Sequence, residues 1–146
     1  MTSLLIVEDH KLLSEVLSTM LERKEGINVA KVVHTADAAI KELPNLAVDI
    51  ALVDLSLPQM SGIELVAYIK KNYPQLPCLV MSAHTDQDGI ENALANGARG
   101  YIVKDDMDDM DEVIEGIHQV LKGRVYLSKL LRNNGYFGAN AVFQEG

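Results

Sequence analysis

The sequence predicts an α/β fold, a single domain with a five-stranded parallel sheet and helices on both faces, on two observations. Short runs rich in Val, Ile and Leu recur at residues 4–7, 27–33, 50–54, 79–82 and 101–103, each of a length suited to a strand buried on both faces. Helical patterns fill the intervals. Strict β-α alternation with short connections leads to right-handed crossovers, hence to parallel strands sandwiched between helices.

The elements follow in order. After the first strand, Leu12, Leu13, Val16, Leu17, Met20 and Leu21 recur at helical spacing, and Glu15, Ser18 and Glu22 occupy the opposite face. Such a stripe is expected to pack on the sheet. Further helices are predicted over residues 36–43, 63–71, 88–96 and 108–121, with Pro44, Pro74 and Gly97 as stops near three of their ends. The acids between Asp105 and Glu112 resemble a metal site superficially, but carboxylates at a helix start are favoured by the macrodipole. Past Leu121 the segment 133–140, with two Asn and a Gly at its start, reads as a loop or loose tail, with at most a stray helix.

Composition narrows the function. The 146 residues carry 21 acids against 13 bases, a net charge of −8, which argues against a surface that holds nucleic acid. Cys78, the single cysteine, lies in an apolar run and is expected to be a buried, inert thiol. The first residues lack a basic segment, and Glu8 and Asp9 cut the opening apolar run short, so a cytoplasmic protein is expected.

In open α/β sheets ligands bind beyond the carboxyl ends of the strands, so the polar residues ending each apolar run are the ones to collect. They are Glu8 and Asp9 after strand one, Asp54 after strand three, Ser82 after strand four and Lys104 after strand five. If strands one and three are neighbours, Asp9 and Asp54 face one crevice. Crowded carboxylates repel one another, and their oxygens suit a hard cation such as Mg²⁺. With that cation and Lys104 neutralising charge, Asp54 is a carboxylate nucleophile toward a phosphoryl donor, and Ser82 can donate to a phosphoryl oxygen. Taken singly, each residue is a helix cap, a turn or a solvated tip; it is the set that points to chemistry.

These residues resemble the bacterial response-regulator (CheY-like) receiver family, over about residues 3–122. The acceptor stands in Leu52-Val53-Asp54-Leu55-Ser56-Leu57-Pro58; Pro58 and Gly62 follow at the family's spacing, Ala83 follows Ser82, and Tyr101 precedes Lys104 by three. The resemblance implies a flavodoxin-like (βα)5 domain with strand order 2-1-3-4-5. It also implies Mg²⁺ or Mn²⁺ held by Asp9, Asp54, the Ser56 backbone carbonyl and, through water, Glu8. It implies a regulatory phosphoacceptor rather than an enzyme, catalysing only its own phosphorylation and dephosphorylation, with a sensor histidine kinase as donor. Ser82 and Tyr101 are implied as the switch: Ser82 drawn inward, Tyr101 rotating into the space vacated.

Three segments, Glu8-Asp9-His10, Asn96-Gly97-Ala98-Arg99-Gly100-Tyr101 and Gly123-Arg124-Val125-Tyr126-Leu127-Ser128, are similar to receivers of NarL/FixJ-type (LuxR-like) transcription regulators. That likeness implies a receiver at 1–122, a linker or disordered tail at 123–146, and a DNA-binding output domain absent from the chain. A phosphorylation-dependent homodimer is compatible with it. Two positions depart from the family's pattern: Asp105 stands where Pro is frequent, and Glu8 where Asp is common. His10 is expected to be a loop or first-turn residue, while Ser56 and His84 occupy positions where the family tunes hydrolysis of the phosphoryl-aspartate.

Competing readings are weaker. A phosphatase of the haloacid dehalogenase type needs an Asp two residues after the nucleophile, where Ser56 stands. A nucleotide binder needs a Gly-rich loop after strand one, where Asp9-His10-Lys11 stands. A single-domain or phosphorylation-independent interaction module remains the alternative, although one that no longer takes phosphate would be expected to lack the acceptor, a metal acid or the lysine, and all are present.

Overall fold

A computed structural model describes residues 1–83, 87–104 and 110–133. Strand β1 (Thr2–Val7) leads into helix α1 (Lys11–Glu22), β2 (Ile27–Val33) and α2 (Ala36–Glu42), which a 3-10 turn at Leu43–Asn45 extends. Then come β3 (Ile50–Asp54), α3 (Gly62–Asn72), β4 (Cys78–Ser82), α4 (Gln87–Ala95), β5 (Ala98–Val103) and α5 (Met110–Leu121). A short β6 (Tyr126–Leu127) and α6 (Lys129–Asn133) follow.

All strand pairs are parallel, in the order β2-β1-β3-β4-β5-β6. The predicted order 2-1-3-4-5 is therefore present, but among the described residues the sheet has six strands and not five. A two-residue strand has no hydrophobic run or period to announce it. It forms because Tyr126 and Leu127, both buried, find the outer edge of β5 open to pairing. Ordered packing thus continues past residue 122, the expected end of the domain. The remainder of the expected tail, residues 134–146, lies outside the described residues, as do His84, Asp105 and the rest of the acidic run before Met110.

Period-two alternation sorts each strand between two cores. Leu5, Val7, Ala51, Val53, Cys78, Val80, Tyr101 and Val103 face α2, α3 and α4, whereas Leu4, Ile6, Ile50, Leu52, Leu79, Met81 and Ile102 face α1 and α5. Burial pushes the Cys78 thiol up to about 12, in keeping with an inert side chain.

Helix α1 divides its apolar stripe in a way the periodicity did not predict. Leu17 and Leu21 are buried with Leu13 beside them, but Leu12, Val16 and Met20 point outward, Leu12 being 66% exposed. Residues 13, 17 and 21 form one ridge of the helix and 12, 16 and 20 the next. Only the first ridge meets the sheet.

Candidate functional site

The site is built at the carboxyl end of the sheet, where β1 and β3 lie side by side. Leu4, Leu5, Ile6 and Val7 pair in register with Ile50, Ala51, Leu52 and Val53, so Glu8 and Asp54 emerge together one step beyond Val7 and Val53. Suitable oxygens of Glu8, Asp9 and Asp54 all lie within 4.8 Å of one another. Glu8 and Asp54 are fully buried, while Asp9 is exposed at the rim.

Lys104, just past β5, spans the pair: its Nζ lies 3.1 Å from Asp54 Oδ2 and 3.3 Å from Glu8 Oε1. The other oxygen of each acid is held by main chain. Ser56 N–H donates to Asp54 Oδ1 at 3.0 Å, and His10 N–H donates to Glu8 Oε2 at 3.1 Å.

Electrostatics separates the two acids. Burial raises the Glu8 carboxyl to about 7; the adjacent Asp54 pushes in the same direction, and Lys104 and the His10 amide oppose it. Burial raises Asp54 too, but its contacts with Glu8, the Ser56 amide and Lys104 outweigh burial and hold it below the usual carboxylate range. Lys104 is lowered by its own burial, yet the two carboxylates prevail and raise it. Without a cation the pair therefore shares its charge unequally, Asp54 ionised and Glu8 holding the proton more readily.

The residues fit a divalent cation. Glu8 Oε1 and Asp54 Oδ2 are buried and accept no hydrogen bond among the described residues. Two buried acceptors beside an exposed carboxylate form an all-oxygen donor set, the kind preferred by a hard cation such as Mg²⁺.

Ser82 ends β4, buried, and stands next to Met81, which pairs with Asp54. It is opposite Val103, the residue before Lys104. Tyr101 is buried in β5 with Val80 on one side and Leu127 on the other. Gly62 has a steric reason to be glycine, since a Cβ there would overlap the carbonyl oxygen of Asp54 and the Cα of Leu55. His10 caps α1, its Nδ1 accepting from Leu13 N–H at 3.2 Å, in accord with its reading as a first-turn residue.

Sequence reasoning passed over two supports. His34 Nδ1 donates to the Glu8 carbonyl at 2.9 Å, steadying the loop after β1 that carries Glu8 and Asp9. Glu112, expected only to favour the macrodipole, is buried and anchors the C-terminal segment. Neither contact had a local signal, because each joins residues from different elements.

The sequence matches the response regulator receiver domain family over residues 4–117. This chain belongs to that family. Among curated relatives, the receiver is 27% identical over 131 residues to the transcriptional regulatory protein DegU of Brevibacillus brevis, covering 90% of this chain and 55% of that protein. It is 35% identical over 111 residues to the DNA-binding transcriptional regulator NtrC of Proteus hauseri, covering 75% of this chain and 23% of that one. A solved LuxR-family two-component response regulator from Aurantimonas sp. SI85-9A1 superposes with a TM-score of 0.84 at 27% identity, covering 91% of this chain and 94% of that one. The signal receiver domain of the response regulator NarL from Mycobacterium tuberculosis gives 0.78 at 26%, covering 84% and 98%. The receiver spans a little over half the length of DegU and of MctR, another transcriptional regulatory protein it matches. Among the described residues no helix is long and apolar enough to cross a membrane.

Proposed function

We propose that this receiver takes a phosphoryl group from a histidine kinase onto Asp54, and that the modified receiver controls transcription through a DNA-binding domain carried elsewhere in the full-length protein. The observation that carries the reading is the buried acid pair spanned by a single lysine, with Asp54 kept ionised. An ionised, partly desolvated carboxylate beside a fixed cation is a competent nucleophile.

In the transfer, a carboxylate oxygen of Asp54 attacks the phosphorus of a phosphohistidine. The O–P bond forms as the P–N bond breaks, and the electron pair leaves with the imidazole, which takes a proton from solvent. Lys104 neutralises charge on the transferring group, and the Ser56 amide keeps the Asp54 carboxylate oriented. Asp9, Asp54, the Ser56 carbonyl and, through water, Glu8 would hold Mg²⁺ or Mn²⁺, which when bound offsets phosphoryl charge. Ser82 donates its hydroxyl to a phosphoryl oxygen, and Tyr101 responds on β5. The transcriptional output rests on the relatives, which are transcription regulators longer than this chain.

Intact-mass measurement after incubation with Mg²⁺ and acetyl phosphate tests the reading. A phosphoryl-sized gain that disappears in Asp54→Asn or without the metal is expected. A gain that survives Asp54→Asn, or no gain in the unsubstituted chain, overturns it.

A further inference from the structure

Strand β5 carries Tyr101 and delivers Lys104 to the site, and its outer edge is not left to solvent. β6 pairs along it, Gly100 opposite Tyr126 and Tyr101 opposite Leu127. Ser128, fully buried, continues the contact in two directions. Its N–H donates to the Tyr101 carbonyl at 3.0 Å, and its hydroxyl oxygen accepts from Val103 N–H at 3.3 Å. The main chain just before Lys104 is thus tied to a side chain outside the five-stranded core. Leu127 and Leu131, both buried, pack in the same cluster as Tyr101.

The far side of this segment is anchored on α5. Glu112 accepts from Lys129 N–H at 2.7 Å and from the Tyr126 hydroxyl, and the Arg132 guanidinium lies over the Tyr126 ring, 5.4 Å from its centroid. Residues 126–133 therefore bridge two elements, and one of them leads directly into the lysine that faces the acceptor.

We propose that residues 126–133 form a clasp linked to the state of Asp54, docked on β5 in the unphosphorylated chain and loosened in the phosphorylated one. The inference rests on Asp54 being the phosphoacceptor. A phosphoryl group on Asp54 gives Lys104 an anionic partner farther out than the carboxylate it now faces, so the end of β5 follows it. The Val103-to-Ser128 hydrogen bond is already long, and a displacement of a few tenths of an ångström takes it past useful geometry. Loosening there releases Leu127 and Leu131 along with it, because the same short segment carries all three contacts. Linkage is reciprocal: whatever loosens the clasp favours the phosphorylated form. The clasp therefore reports the state of the site to whatever follows residue 133.

Amide exchange at Ser128, Lys129 and Leu131, followed by NMR on the full chain with and without Mg²⁺ and acetyl phosphate, tests this, with intact mass measured on the same samples. The expected result is exchange about fivefold faster or more at these amides once the mass shows phosphorylation. In Ser128→Ala the exchange should already be fast, and phosphorylation should change it less than about twofold. Phosphorylated wild-type chain with unchanged or increased protection overturns the clasp and leaves the acceptor intact. Failure to gain phosphoryl mass overturns the acceptor reading and the clasp together.

Discussion

Two acidic sites are buried, one at Glu112 on α5 and one at Glu8 and Asp54, and they are treated differently by their surroundings. At Glu112 both carboxylate oxygens are used, one by the Tyr126 hydroxyl and one by Lys129 N–H. At Glu8 and Asp54 one oxygen of each acid accepts no hydrogen bond among the described residues and faces the Lys104 ammonium and the neighbouring carboxylates. A buried acceptor with its full complement of donors holds a fold together, whereas a buried acceptor left short is costly unless something else is to be bound there. The first arrangement is structural, and the second keeps capacity for a cation and, on the proposed function, for an incoming phosphoryl group.

The largest expected effect comes from the satisfied site. Glu112→Ala strands the Tyr126 hydroxyl and the Lys129 amide, and urea unfolding should show a loss of about 3 kcal/mol. A loss under about 1 kcal/mol would make Glu112 an ordinary surface acid and erase the contrast. Next comes Gly62→Ala, whose methyl would overlap the backbone of Asp54 and Leu55. It should cost about 2 kcal/mol by the same assay and slow phosphoryl uptake, because the wall of the site must move to accommodate it.

Mg²⁺ should sharpen the contrast from the unsatisfied side. At tenfold excess over its dissociation constant it stabilises the wild-type chain by about 1.4 kcal/mol. Glu112→Gln should retain that increment, read as a shift of melting temperature, and Asp54→Asn should lose most of it. The smallest effect is expected for Asp54→Asn without metal. Loss of the favourable Asp54 contacts is offset by Glu8, which is freed to ionise against Lys104, so stability should stay within about 1 kcal/mol of wild type. A fall comparable to that of Glu112→Ala would place Asp54 among the structural acids instead.

The site was legible to an unequal degree. Glu8, Asp9, Asp54, Ser82 and Lys104 each follow an apolar run, and strand polarity sends all such ends to one edge of a parallel sheet. Their gathering followed from patterning that any reader of the chain can see. Glu112 had no such cue, since an acid in the first turn of a helix has a sufficient local explanation. Its real partners, Tyr126 and Lys129, lie beyond a turn at Gly123 in a segment too short to show periodicity. The outward ridge Leu12, Val16 and Met20 was illegible for a related reason: hydrophobicity reports what prefers burial, and packing geometry decides which ridge obtains it.

By itself the sequence determined the alternation of strands and helices, the parallel sheet and the chemistry collected at its carboxyl edge. Those depend on local periodicity and chain direction, which are properties of neighbouring residues. Tertiary structure alone decided that Lys104 spans Glu8 and Asp54, that their charge is shared unequally, and that Tyr126 to Ser128 close the edge of β5. Each of these is settled by how far apart groups distant in sequence come to rest and by the water excluded between them, quantities that exist only once the chain has packed.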